Sequence, residues 1–269
     1  MRIAVLADVH GNIHALEASI EEIEKQKVDK IVLAGDLLNG LPSSKKCLDL
    51  INAKNIIYLQ GNHERYVFDH KSKNAPESWK GENFAPVRWV LERLNKADLE
   101  QISNLKMYLE FDNLLITHAS PYDDYARIRI DTPEQQLTEF FKGFKQQYIV
   151  KAHNHVWLER AWSDKKLLSI GANGLPMDGI RKAQFIIAEK HANQWQFEKF
   201  FIDYDYHAAI KTITDSGYAS YTPMALLTKQ ELVTARSQVH PFIMEYARAL
   251  ANKEISLKDA INKYLELKN

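Results

Sequence analysis

The chain has 269 residues, 45% of them hydrophobic and 26% charged, a mix that supports a packed globular core and excludes a disordered or low-complexity protein. Lys and Arg number 35, matched by 35 Asp and Glu, so net charge gives no drive toward nucleic acid or an anionic membrane. Cys47 is the only cysteine, which excludes an intrachain disulfide and makes a reducing, cytoplasmic compartment the default.

From the amino terminus, Ile3-Ala4-Val5-Leu6-Ala7 is a short apolar run that reads as a buried strand. It begins too early to leave room for a signal peptide, and no run along the chain is long and apolar enough to span a bilayer. It stops at Asp8-Val9-His10-Gly11-Asn12. Asp8 and His10 leave the strand's carboxyl end together, where open α/β sheets place their ligands. Residues 13–27 put Leu16, Ile20 and Ile23 on one face, with Glu17, Glu21, Glu22 and Glu24 elsewhere, the pattern of an amphipathic helix. A second strand, Lys30–Ala34, runs into Gly35-Asp36, and a helix is expected over 43–53 with Ser43 or Ser44 as its cap. A third strand, Asn55–Gln60, ends in Gly61-Asn62-His63-Glu64. Strand, helix, strand, helix, strand predicts a parallel sheet covered on its faces.

Residues 65–110 break that rhythm. Positions 69–83 are polar, contain Pro76 and Gly81, and read as an exposed loop. A helix is expected from Pro86, with proline in its first turn, and a short one over Ala97–Leu105. Strands at Tyr108–Phe111 and Leu114–Thr117 are joined by Asp112-Asn113, a hairpin signal, and the second runs into His118. After another excursion over 120–147, with a helix expected from Pro133 to Phe144, the strand Tyr148–Ala152 leads into His153-Asn154-His155. Strand candidates at Val156–Trp162, Leu167–Ile170, Ala183–Ala188 and Trp195–Ile202 make an antiparallel second half. From 205 onward the pattern is helical, with apolar periodicity over 239–251 and 255–267, and carries none of the chemistry. The domain reading is a catalytic unit over 1–204 and a helical extension over 205–269, packed on the body or on a second subunit of a homodimer.

Five strands thus end in polar groups: Asp8/His10, Asp36, Asn62/His63, His118 and His153/His155. A hydrogen-bonded loop position accounts for any one of them, but not for five at one edge of a sheet. The set offers more donors than one ion needs and about enough for two ions sharing a carboxylate. Imidazole with carboxylate favours Mn, Fe or Zn over Mg, which prefers oxygen throughout. Two cations roughly 3.5–4 Å apart would activate a water between them and hold both sides of an in-line displacement at phosphorus. The pattern points to hydrolysis of a phosphoester or phosphoanhydride.

Asp8-Val9-His10-Gly11-Asn12, Gly35-Asp36, Gly61-Asn62-His63-Glu64, His118 and His153-Asn154-His155 match, in order, the motifs of the calcineurin-like metallophosphoesterases, which residues 2 to about 190 resemble. The resemblance implies a four-layer α/β/β/α sandwich with a dinuclear centre at its edge, here with extra C-terminal helices. It assigns Asp8, His10, Asp36 and His155 to one ion and Asp36, Asn62, His118 and His153 to the other, with Asp36 bridging. His63 lies outside the metal shell in that scheme, as phosphate binder and general acid, a role suited to an imidazole. Thr117 and Ala152 stand where the family often has glycine, and both are small enough to keep the ligands. Gly35-Asp36-Leu37-Leu38-Asn39-Gly40 lacks the arginine with which phosphoprotein phosphatases grip phosphate.

The chain resembles the bacterial branch that cleaves phosphodiesters and dinucleoside polyphosphates, which implies nucleotide-type substrates such as diadenosine tetraphosphate, cut to ATP and AMP. Arginine suits polyphosphate and aromatic faces suit a base. The candidate substrate contacts are Asn12, Arg65, Tyr125, Arg127 and Arg181, with Tyr66, Trp79, Tyr122 and Arg129 also on the excursions and the Asn173-Gly174-Leu175-Pro176 turn near the rim. The alternatives are a phosphomonoesterase or serine/threonine phosphoprotein phosphatase, and a catalytically dead scaffold, which is disfavoured because no ligand is missing.

Overall fold

The computed structural model describes residues 1–70, 72–73 and 75–267. β1 (Arg2–Leu6), α1 (Ile13–Lys25), β2 (Lys30–Leu33), α2 (Ser44–Ala53) and β3 (Ile57–Tyr58) follow the expected alternation. The three strands are parallel, with Val5 opposite Val32 and Val32 opposite Ile57. α1 forms because Leu16, Ile20 and Ile23 share a buried stripe and because Asn12 caps it, its Oδ1 accepting from the Ala15 N–H at 3.2 Å.

The next element was not legible as a helix. α3 (Asn62–Asp69) starts inside the third motif, so Asn62 and His63 stand in its first turn. Gly61 is its N-cap, and Glu64 reaches back to the Gly61 N–H at 2.8 Å, half of a capping box. The expected loop over 69–83 contains two 3₁₀ turns, Glu77–Lys80 and Glu82–Phe84; its residues 71 and 74 lie outside the described residues, as do 268–269 of the expected extension. α4 (Ala85–Leu91) and α5 (Lys96–Ser103) complete the excursion, and β4 (Tyr108–Phe111) and β5 (Leu114–Thr117) form the expected hairpin, with Asp112 in the left-handed region at φ 48°.

α6 (Glu134–Phe140) is shorter than expected. It precedes β6 (Tyr148–Lys151), β7 (Leu158–Trp162), β8 (Lys165–Ser169), β9 (Ala183–His191) and β10 (Gln194–Ile202). The expected antiparallel second half holds within the pairs β7–β8 and β9–β10, but β8 joins the sheet parallel to β6. β5, β6 and β8 run parallel, because β7 folds back on β8 as a hairpin and returns the chain to the original direction. β9 and β10 leave that sheet altogether: β9 pairs antiparallel with β1, and β10 pairs antiparallel with β9.

Two mixed sheets result, ordered β10-β9-β1-β2-β3 and β4-β5-β6-β8-β7. Ile3, Val5, Val32 and Ile186 from the first meet Leu114, Ile116, Val150 and Leu168 from the second in a dry layer between them. Removing such side chains from water is worth about 1.5–3 kcal/mol each. Leu6, Leu33 and Phe185 face the helices on the other side of the first sheet, while Leu115, Ile149 and Leu167 meet Leu137 of α6 and Ile128 outside the second. The four layers are α/β/β/α. Strands β1, β2, β3, β5 and β6 all deliver their carboxyl ends to one edge.

The chain ends in α7 (Tyr206–Asp215), α8 (Tyr218–Tyr221), α9 (Met224–Thr234), α10 (Val239–Ala251) and α11 (Leu257–Glu266). Phe242, Tyr246, Ile261 and Tyr264 make a core of their own there, while Ile213 and Tyr218 join the helical layer of the body. Among the described residues, no helix is long and apolar enough to cross a membrane.

Candidate metal centre

At the tips of the parallel strands the backbone turns sharply. Asp8, His10, Asp36, His153 and His155 adopt φ of 55°, 50°, 54°, 73° and 58°, a region that costs an ordinary L-residue about 1 kcal/mol or more. The turns are braced by backbone hydrogen bonds from Asp8 N to Gly35 O at 3.1 Å and from His10 N to Asp36 O at 3.0 Å. Two glycines make the close approach possible. A Cβ on Gly35 would stand 2.6 Å from His118 Nδ1, and one on Gly61 would stand 2.3 Å from Asp36 Oδ1.

Three imidazoles are aimed by carbonyl oxygens. Nδ1 of His10 meets Asn39 O at 2.8 Å, that of His118 meets Ala34 O at 2.8 Å, and that of His155 meets Leu175 O at 2.6 Å. A carbonyl only accepts, so each Nδ1 carries the proton and each Nε2 faces inward. His10 Nε2 lies 3.1 Å from His155 Nε2. In neutral rings these are two lone pairs pointed at one another in a buried place, an arrangement that a cation reconciles. Asp8 Oδ1, 3.6 Å from His155 Nε2, is buried with no hydrogen-bond partner among the described residues.

One donor atom from each of Asp8, His10, Asp36 and His155 lies within 4.8 Å of the others, and the same holds for Asp36, His118 and His153. Asp36 belongs to both groups, its Oδ2 3.7 Å from His10 Nε2 and 3.3 Å from His118 Nε2. Asn62 Oδ1 approaches His118 Nε2 at 3.2 Å. All seven expected ligands converge, and the donor set fits two borderline cations with one shared carboxylate.

The charges agree with that arrangement. Burial raises the Asp8 carboxyl, with His155 and His118 opposing. Burial also works against the charge of Asp36, yet His118 and His63 hold its carboxyl well below the usual range. His118 loses charge to burial but gains more from Asp36 and Asp8, which push it up to about 9. Burial drives His10 well down, with His63 and His155 adding to it, and takes His153 to about 2. Without a cation, one proton therefore holds His118 against Asp36; a cation would displace it.

The sequence profile of the calcineurin-like phosphoesterases matches residues 1–203. The chain belongs to that family. An uncharacterised protein of Methanocaldococcus jannaschii is 24% identical over 229 residues, 78% of this chain and 91% of that one. A metallophosphoesterase crystal structure from Sphaerobacter thermophilus superposes with a TM-score of 0.68 at 21% identity, covering 87% of this chain and 99% of the other. A protein of Pyrococcus horikoshii OT3 gives a TM-score of 0.68 at 19% identity, over 83% and 97%. Membership in the calcineurin-like family supports a phosphoesterase hydrolase, and the buried Asp/His cluster is where its metal could bind.

His63 stands at the mouth of this phosphoesterase cluster, with 25% of its side chain exposed and its Nε2 4.0 Å from Asp36 Oδ2. Burial lowers its pKa, against the pull of Asp36. Its Nδ1 is held at 2.8 Å by the Asn39 amide. Asn39 thereby does two things, since its carbonyl aims His10 and its side chain aims His63. The sequence showed this residue only as a departure from the family pattern; its backbone, in the left-handed region at φ 63°, is what turns both groups toward the site. Glu64 is a second residue whose role was hidden. Fully buried, it accepts from the N–H groups of Asp36 at 2.8 Å, Leu38 at 3.1 Å and Gly61 at 2.8 Å, tying two ligand loops together. Burial and Asp36 push its carboxyl up to about 7.

The expected substrate contacts divide. Arg65 forms a forked pair with buried Asp124, Nε to Oδ2 at 2.8 Å and Nη2 to Oδ1 at 2.8 Å, which pins the 120–125 loop to α3. Asn12 is buried and engaged as a helix cap and as donor to Gly174 O at 2.8 Å. Both side chains are committed to the scaffold. Trp79 stacks on Phe84 and meets Tyr66 edge-on, so it packs its own loop. Arg129, exposed, pairs with Asp131 at 3.4 Å, and Tyr122 donates its hydroxyl to Lys142 O at 2.9 Å. Tyr125 is different: 40% exposed, its ring lies 5.0 Å from that of His153, and its hydroxyl accepts from Arg127 at 3.0 Å. Arg181 is exposed, its guanidinium 5.0 Å from the ring of Tyr206.

Proposed function

We propose that this phosphoesterase hydrolyses phosphodiester or phosphoanhydride bonds in nucleotide-type substrates, with a dinucleoside polyphosphate such as diadenosine tetraphosphate cut asymmetrically to ATP and AMP. The observation that carries the nucleotide reading is the exposed Tyr125–Arg127 pair beside His153. A planar face and a forked cation, adjacent and free to meet solvent, suit a base and a phosphate beyond the scissile one.

Asp8, His10, Asp36 and His155 would hold one ion, and Asp36, Asn62, His118 and His153 the other, with Mn, Fe or Zn suited to the donors. When bound, such a pair supplies a nucleophile from water at neutral pH and positive charge for the phosphoryl oxygens. The chain's own residues do the rest. Asn39 donates to Nδ1 of His63, which leaves a proton on Nε2 facing the cluster. When the ring is doubly protonated, a turn of the Asn39 amide presents Oδ1, which is otherwise buried without a hydrogen-bond partner among the described residues, to accept from Nδ1–H. His63 is thus held to deliver a proton from Nε2 to the leaving oxygen. Glu64 keeps the loops of Asp36 and His63 in register while this happens.

The test is product analysis of metal-reconstituted protein with diadenosine tetraphosphate, bis-p-nitrophenyl phosphate and p-nitrophenyl phosphate. ATP plus AMP, with the diester preferred over the monoester, is the expected result. Turnover of the monoester alone would replace this reading with a phosphomonoesterase.

A further inference from the structure

The family match ends at residue 203, yet the helices beyond it reach the candidate centre. The link is Leu175. Its carbonyl takes the Nδ1 proton of His155 at 2.6 Å, and Met177 N donates to His155 O at 3.1 Å, so this short segment grips the histidine from two sides. The Leu175 side chain is buried in a small cluster with Leu41, Ala209 of α7 and Leu232 of α9. The same segment is tied again just past α9, where Gly179 N donates to Ala235 O at 2.9 Å. His118 is aimed by another route, through Ala34 O at the end of β2, which lies in the layer between the sheets.

We propose that Leu232 is a positioning residue for one ion position only: α9 sets the aim of His155 through Leu175, and the C-terminal extension thereby tunes the site of Asp8, His10, Asp36 and His155 while leaving that of His118 and His153 alone. The inference rests on the reading that these two groups each hold a cation. The physical logic is that a ligand imidazole is only as well aimed as the group accepting its other proton. That group is a backbone carbonyl whose position depends on where its own side chain packs.

Metal-stripped full-length protein would be titrated with Mn²⁺ alone by equilibrium dialysis and calorimetry, and its ¹⁵N-labelled imidazoles followed by NMR. Leu232→Ala is expected to weaken one of two Mn²⁺ sites by about 10–100-fold, the range for loss of a ligand's outer support, and to leave the other within about twofold. The Nδ1–H signal of His155 should exchange faster or shift, and that of His118 should not. Leu232→Met should restore the weakened site. Leu232→Val, which removes less, should fall between and serves if the alanine variant does not fold. Ile261→Ala is the control for general loosening of the C-terminal helices, since Ile261 is buried with Met224 and Leu227 of α9 and with residues of α10 and α11, outside the cluster of Leu41, Leu175, Ala209 and Leu232, and it should leave both affinities unchanged. Equal loss at both sites, the same loss in Ile261→Ala, or two unaltered sites in every Leu232 variant would overturn the inference. Absence of Mn²⁺ binding by the unaltered chain would overturn the metal reading beneath it as well.

Discussion

The ligand cluster and the rim above it are built on opposite principles. In the cluster, Asp8, Asp36 and His118 are buried, and each has its direction set by backbone groups of a neighbouring loop. On the rim beside His153, Tyr125 and Arg127 are held chiefly by one another. A buried polar group left unsatisfied costs one to several kcal/mol, so its surroundings over-determine it. An exposed arginine loses almost nothing by turning. On the proposed function, the chemistry would be lodged in the rigid part and the choice of substrate in the soft part. Changes to the two should differ in kind as well as in size.

The largest effect is expected at Asp36, the one carboxylate shared by both donor groups. Asp36→Asn keeps the shape and removes the bridging charge, so both ions should be lost on dialysis and turnover should fall about 10³-fold or more. Two ions retained at full affinity, measured by elemental analysis, would contradict the bridge. His63→Ala should separate binding from catalysis. Both ions should stay, while kcat drops by about 10²–10⁴-fold, the usual contribution of general acid–base catalysis. A parallel loss of metal would place His63 among the ligands instead.

The rigid region is not satisfied throughout. Lys151, fully buried at the end of β6, has no hydrogen-bond partner for Nζ among the described residues, and burial pushes its pKa down to about 7, with Asp8 opposing. The sign follows from proton binding. Between about pH 7 and the ordinary lysine value near 10.5, the unfolded chain binds this proton more strongly than the folded one, so stability rises with pH across that window. Lys151→Met should be more stable than the parent at pH 7, on the order of 2–4 kcal/mol, with the gap closing toward pH 10. Denaturant unfolding of chelator-treated protein at both pH values measures it. An unchanged pH slope in the variant would show that Lys151 does not set it.

The same contrast explains what could be read from the chain. A strand that ends in a carboxylate or imidazole is visible in sequence because an apolar run stops at a residue that cannot continue it. Five such endings bring the residues of the cluster into view, and it is their resemblance, in order, to the family's motifs that implied the sandwich. α3 was hidden because its signal is local geometry: Gly61 as cap and Glu64 folding back. Arg65 looked like a phosphate ligand because nothing beside it in sequence reveals Asp124, which arrives from another excursion. Asn12 was misleading in the same way, its amide already committed to Gly174. Leu232 and Leu175 share one buried cluster although they have no local reason to meet, and only the packed fold brings them together.

The smallest effect expected is also the one that tests the soft region most directly. Arg127 touches Tyr125 and solvent, with its guanidinium 5.3 Å from that ring, and it supports no ligand loop. Arg127→Ala should leave the metal content and the thermal midpoint of the protein unchanged. With diadenosine tetraphosphate it should raise KM by about 5–20-fold, corresponding to roughly 1–2 kcal/mol for one charge-assisted contact, and leave kcat within about twofold. With bis-p-nitrophenyl phosphate, which has no phosphate beyond the scissile one, KM should not move. A KM rise of equal size with both substrates would mean that Arg127 acts on the scissile phosphate, and the rim would then belong to the chemistry. A loss of kcat with either substrate would mean that the loop of Tyr125 helps aim His153, which would remove the boundary between the rigid and soft regions at that point.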